Sequence, residues 1–154
     1  MFGTSGIRGP VGEEVTADLA LRVGRALGVE TGRVVVGRDP RASGETLVDA
    51  LTAGLRELGT DVIDLGIATT PTADNGLKLW QPSGQAYDSA GRERITARIE
   101  ADDYELQPWD GLGTRTSADG ARRHVEALVE AAGGAGALDL DVAVDLGNGA
   151  GGVT

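Results

Sequence analysis

The chain has 154 residues, of which 40% are hydrophobic and only 3% aromatic, and its formal net charge is −10. That length holds one domain, or one domain and the start of another, with a core built from Leu, Val, Ile and Ala. The acidic balance argues against a nucleic-acid partner and against an anionic membrane surface, both of which want a basic face. With no cysteine in the chain, disulfides and thiolate metal sites are excluded. No signal peptide is visible, and no apolar run approaches the ~20 residues of a spanning helix, so a cytoplasmic location is expected. Lys78 is the only lysine among many arginines. An acidic, lysine-poor chain fits a halophilic source, and it also fits a GC-rich genome.

In chain order, residues 1–12 are rich in Gly and polar residues and read as an extended segment with turns. Thr16 is placed to cap a helix whose apolar face is Leu19, Val23, Ala26 and Leu27, with Asp18 in the first turn and Gly28 at the end. Val34, Val35 and Val36 form a β-branched run that reads as a buried strand. After a turn over residues 38–44, Ser43 is expected to cap a second helix with Leu47, Val48, Leu51, Leu55 and Leu58 on one face and Gly59 at its end. Val62, Ile63 and Leu65 mark the next strand. Helix, strand, helix, strand is the pattern of a layered α/β domain with parallel strands.

The pattern then breaks. Residues 76–80 read as another strand, too close to the one before for a parallel crossover, which needs a dozen or more residues. Either this strand returns antiparallel or something is absent. Residues 89–101 carry alternating charge with Ile95 and Ile99 one turn apart, which suggests an exposed helix. Residues 102–115 are irregular and read as a linker. Ser117 is expected to cap a helix to about Ala132 with Val125, Leu128 and Val129 inward, and Leu138–Leu146 reads as a strand.

Several segments carry chemistry. Phe2-Gly3-Thr4-Ser5-Gly6-Ile7-Arg8-Gly9 offers bare backbone amides, two hydroxyls and the planar cation of Arg8, which together suit an anionic oxygen; a plain surface turn is the competing reading. Arg38, Arg41 and Ser43 lie at the carboxyl end of a strand and the start of a helix, where α/β folds bind anions. Equally, Asp39-Pro40 makes a structural bend there and the arginines pair with acids. Lys78 alternates with Leu77 and Leu79, so it faces away from them. As the sole lysine, with a tunable pKa that arginine lacks, it is a candidate for proton transfer or sugar contact, against the alternative of a solvent-facing lysine. Gly147–Gly152 formally fits a dinucleotide fingerprint but lacks the following helix and acidic residue, so a Gly-rich turn is preferred. His124 lies on a charged helix next to Arg122 and Arg123 and reads as solvated, and the acid runs Glu13-Glu14 and Glu100–Asp103 have no metal-ligand spacing.

Taken together, Phe2–Gly9, Gly37–Gly44, Thr70-Pro71-Thr72, Asn75–Lys78 and Asp145–Gly151 resemble, in order and character, the α-D-phosphohexomutase family: phosphoglucomutases, phosphomannomutases and phosphoglucosamine mutases. The resemblance implies a layered α/β/α domain I with a mixed, mostly parallel sheet over residues 1–101, a linker over 102–116, and the start of a second α/β domain over 117–154. It implies interconversion of hexose 1-phosphates and 6-phosphates through a phosphoserine, with Mg²⁺ and a hexose bisphosphate activator. By position it places Arg8 and Lys78 in the catalytic set, with Ser5, Arg38, Arg41 and Ser43 binding substrate or phosphate, and no metal ligand in this chain. A sugar phosphate is the partner it implies. The oligomeric state stays open, a homo-oligomer included.

One departure matters. Between its Thr-Pro and Asn-Gly-x-Lys motifs the family has a helix, a strand and a Thr-Ala-Ser-His-Asn-Pro loop whose serine carries the phosphate. Here Thr72 runs through Ala73 and Asp74 straight to Asn75. The family's metal loop, sugar-reading loop and terminal phosphate-binding domain would also lie beyond Thr154. Three expectations follow: no mutase turnover by this chain alone, a sheet that loses buried area, and strand edges left unpaired. The alternative role is a non-catalytic module that binds a sugar phosphate or another subunit.

Overall fold

The computed structural model describes residues 2–3, 6–68, 76–131 and 133. Helix α1 spans Ala17–Gly28, and Thr16 caps it, its hydroxyl accepting the Leu19 amide at 3.1 Å. Helix α2 spans Ala42–Glu57. The two cross where their backbones are bare. A Cβ on Gly24 would come within 2.2 Å of the Leu51 carbonyl oxygen, and one on Gly54 within 2.1 Å of the Leu21 carbonyl oxygen. Glycine at both positions lets Val23, Leu27, Leu51 and Leu55 close over the crossing as its buried core. Arg25 donates to Glu57 across it at 2.7 Å.

Ser43 does not cap α2. The Asp39 carboxylate accepts the Arg41 amide at 3.0 Å, which closes the turn early, and the helix begins at Ala42 with Arg41 at the cap position. The other end follows expectation: Gly59 takes a φ of +80° and the Thr60 amide returns to the Leu55 carbonyl.

Strands β1 (Ile7–Arg8), β2 (Arg33–Arg38), β3 (Asp61–Ile67), β4 (Gly76–Leu77) and β5 (Arg115–Ser117) form two sheets among the described residues. One has the order β2-β3-β5, all parallel. Its pairing sets the faces. Val34 lies opposite Val62, Val36 opposite Asp64, and Arg115 opposite Val62, so these residues share the face under α1 and α2, where Val36 and Val62 are buried. Val35 and Ile63 lie on the other face, and Val35 is 56% exposed. Leu65 also lies there and meets Gly120, the first residue of helix α4 (Gly120–Ala131).

The expectation of unpaired edges is corrected at β3. The stretch read as a linker lies along the unit: Gln107 and Gly113 donate backbone bonds to Glu57 and Arg56, and β5 then takes the free edge of β3. Arg115 donates to Asp64 at 2.6 Å and to Asp49 of α2 at 2.8 Å, and Thr114 donates through both amide and hydroxyl to Asp61. Ser117 belongs to β5 rather than capping a helix, and Asp119 instead accepts the Arg122 amide at the start of α4.

The helix α3 spans Ser89–Ala101, with the Asp88 carboxylate accepting the Gly91 amide at 2.7 Å. It is not an exposed helix. Ile95 and Ile99 are fully buried, because α3 is seated on α1. An Arg22 amino group donates to the Ile99 carbonyl, and Arg94 and Arg98 both reach Glu30. Conversely, Leu128 and Val129 do not turn inward, being 52% and 39% exposed, and Val125 is only partly buried. The Leu138–Leu146 strand, the Gly147–Gly152 turn and the Thr70-Pro71-Thr72 motif lie outside the described residues.

Candidate functional site

The extended start of the chain and the segment around Lys78 fold onto each other. Strands β1 and β4 pair antiparallel, with Ile7 opposite Leu77 and Arg8 opposite Gly76. Strand β4 is shorter than the five residues expected, and it pairs with β1 rather than with β3. Two bare backbones make the approach close. A Cβ on Gly76 would lie 2.3 Å from the Ile7 carbonyl oxygen, and one on Gly6 would lie 2.4 Å from that of Leu77. Gly6 also has a φ of +96°, a left-handed conformation that side-chain-bearing residues rarely adopt.

This register sorts the side chains. Ile7 is buried, and Leu77 and Leu79 pack partly against the core. Arg8, Gly76 and Lys78 occupy the alternate positions, with Arg8 and Lys78 exposed. The aliphatic stem of Arg8 lies over Gly76, whose missing Cβ would meet it at 3.0 Å. Two cations far apart in sequence thus share one face of a short ribbon in an otherwise acidic chain. Such a face attracts an anionic oxygen, and the arginine fork adds directionality.

A further residue joins this face that the sequence reading passed over. The Lys78 ammonium lies 4.7 Å from the centre of the Trp80 ring. The signal was available, since residues two apart on an extended segment point the same way.

The remaining sequence candidates are arranged differently. Arg38 ends β2, in the other sheet, where it donates to the Asp39 carbonyl and pairs with Glu45 at 3.9 Å. Arg41 pairs with Asp39 at 3.5 Å. Ser43 sits in the first turn of α2. These three build and brace a turn at the carboxyl end of β2. Ser5 lies outside the described residues. Among the described residues, no group of three or more His, Asp or Glu side chains is placed to hold a metal ion. None of the described helices is long and apolar enough to cross a membrane.

Residues 1–74 match the model of the phosphoglucomutase/phosphomannomutase alpha/beta/alpha domain I. A probable phosphoglucosamine mutase of Methanococcoides burtonii is 40% identical over 152 residues, covering 84% of this chain and 35% of that protein. One from Thermococcus kodakarensis is 36% identical, covering 99% of this chain and 39% of that protein. The aligned stretch in the second case is 181 residues long against a chain of 154, so it includes positions that this chain leaves empty. A crystal structure of a phosphoglucomutase/phosphomannomutase family protein from Burkholderia thailandensis superposes with a TM-score of 0.68 at 29% identity, covering 84% of this chain and 35% of that one. The chain therefore spans little more than a third of the length of these relatives. The sequence match, the named relatives and the shared fold together show that the chain belongs to the phosphohexomutase family and corresponds to its amino-terminal part.

Proposed function

We propose that the protein derives from a phosphohexomutase interconverting hexose 1-phosphates and 6-phosphates, and that this chain keeps a substrate-holding face without the phosphoryl carrier. The carrying observation is the β1–β4 register, which puts Arg8 and Lys78 on the same exposed face. Phosphoryl transfer depends on positioning and on charge stabilisation around the moving group, and two cations on one face supply both to a phosphate oxygen. Transfer through an enzyme-bound phosphate also needs a side-chain hydroxyl to store it. No Ser-His-Asn-Pro run stands between Thr72 and Asn75, the family model's match ends at residue 74, and the Thermococcus relative aligns over more positions than this chain has.

The family implies Mg²⁺, but the described acidic residues do not fit a cage for it. We therefore assign it no part in ligand binding by this chain. The curated relatives are named for glucosamine phosphate, so glucosamine, glucose and mannose phosphates are the ligands to compare.

The test has two arms. In a mutase assay with Mg²⁺ and hexose bisphosphate, the purified chain is expected to show no turnover, and measurable turnover would overturn the loss of the carrier. In calorimetry, hexose phosphate binding is expected to weaken about tenfold in Arg8→Ala, the scale of one charge-assisted hydrogen bond. Binding unchanged by both Arg8→Ala and Lys78→Ala would remove the ribbon from the site.

A further inference from the structure

The Lys78–Trp80 stack is not explained by packing. Trp80 is 53% exposed, so its ring is not there to fill the core. Its backbone is nevertheless held. Trp80 bridges to Ala86 across a tight turn in which Gln81 donates to the Gln85 carbonyl at 2.8 Å and Gly84 to the Gln81 carbonyl at 2.9 Å, with Gly84 at a φ of +80°. A ring carried on a fixed turn and placed 4.7 Å from an ammonium lies within cation–π range, about 6 Å. Lysine is a flexible point charge that otherwise samples many rotamers. Ordering it before a ligand arrives removes part of the entropy loss of binding.

We propose that Trp80 is a positioning residue for Lys78. The indole holds the ammonium on the face it shares with Arg8 and yields it to a phosphate oxygen, because a charge-assisted hydrogen bond is the stronger of the two contacts. This inference rests on the reading of Lys78 as a phosphate contact. Its ligand-free part stands separately.

The chain itself supplies the probe. Since Lys78 is the only lysine, ¹³C-lysine labelling gives a single ε-methylene signal. In the unmodified protein that signal is expected upfield, shifted by the ring current of Trp80. The shift should disappear in Trp80→Leu and persist in Trp80→Phe, whose ring keeps the stack if both variants fold. Glucose 6-phosphate should move the signal back downfield, and its affinity should fall about threefold in Trp80→Leu but stay within about twofold in Trp80→Phe. An ε signal identical in the unmodified protein and Trp80→Leu overturns the stack without any ligand. Binding that is weakened by Lys78→Ala but unaffected by Trp80→Leu overturns the positioning role and leaves the phosphate contact in place. Binding insensitive to Lys78→Ala overturns the reading beneath both.

Discussion

Helices α3 and α4 are nearly the same length, 13 and 12 residues, and they meet opposite fates. α4 sorts its apolar side chains onto one face more sharply than α3 does, yet no α4 residue is buried, whereas α3 buries Ile95 and Ile99 completely. The difference lies in the neighbours. α3 is tied to α1 through the Ile99 carbonyl and to Glu30 through two arginines, so its pair of isoleucines closes against a finished helix layer. α4 meets the sheet at Leu65, on a face where Val35 still stands in solvent. Periodicity says which face of a helix is apolar. Only a partner surface turns that face into stabilising burial.

The largest expected effect tests this contrast directly. Ile95→Ala should lower the unfolding free energy in urea by about 2–5 kcal/mol through lost contacts and a cavity. Leu128→Ala on α4 should change it by no more than about 0.5 kcal/mol, as for an ordinary surface position. Equal losses would mean that α4 is covered in solution and would break the comparison.

A smaller effect separates how each helix is held. Arg115→Ala removes the donor that ties β5 to Asp64 and Asp49, at a cost of about 1–2 kcal/mol for charged hydrogen bonds that are partly solvated. Amide exchange should then speed up over residues 115–131 and hold steady over residues 89–101. Uniform acceleration would show that α3 depends on the β5 edge after all.

The smallest effect is a pH dependence at the same tie. Burial alone would push the Asp64 carboxyl up, but the hydrogen bonds from Arg115 and the Gly66 amide outweigh it and hold the group below the usual carboxylate range. Thr114 holds Asp61 low in the same way, by its hydroxyl first and its amide second. A depressed folded-state pKa contributes stability that is present above the unfolded value, about 3.9, and is lost as pH falls through the folded one. Acid should therefore release residues 115–131 before residues 89–101, as read by amide exchange in steps below about pH 4. In Asp64→Asn that early phase should be blunted, and an unchanged profile would move its cause elsewhere.

Much of the architecture was legible in the chain. The Thr16 cap, the apolar faces of α1 and α2, the valine-rich β2 and the turn at Gly59 are local patterns, and local hydrogen bonds realise them. Where the reading failed, a neighbour distant in sequence decided. Asp39 captured the Arg41 amide and left Ser43 inside the helix, and Arg115 drew a supposed linker into the sheet. At the candidate site, residue types were readable but proximity was not. Arg8 and Lys78 are separated by most of a domain in sequence, and it is the approach of two bare glycine backbones, Gly6 and Gly76, that brings their faces together.

By itself, then, the sequence determined α1, β2, α2 and β3 and the family motifs, because propensity, capping and motif chemistry act over a few neighbouring residues. The tertiary structure alone decided which apolar faces are buried, which edge of β3 is closed, and that Lys78 shares its face with Arg8. Each of these depends on pairing between segments whose separation along the chain carries no signal of their contact.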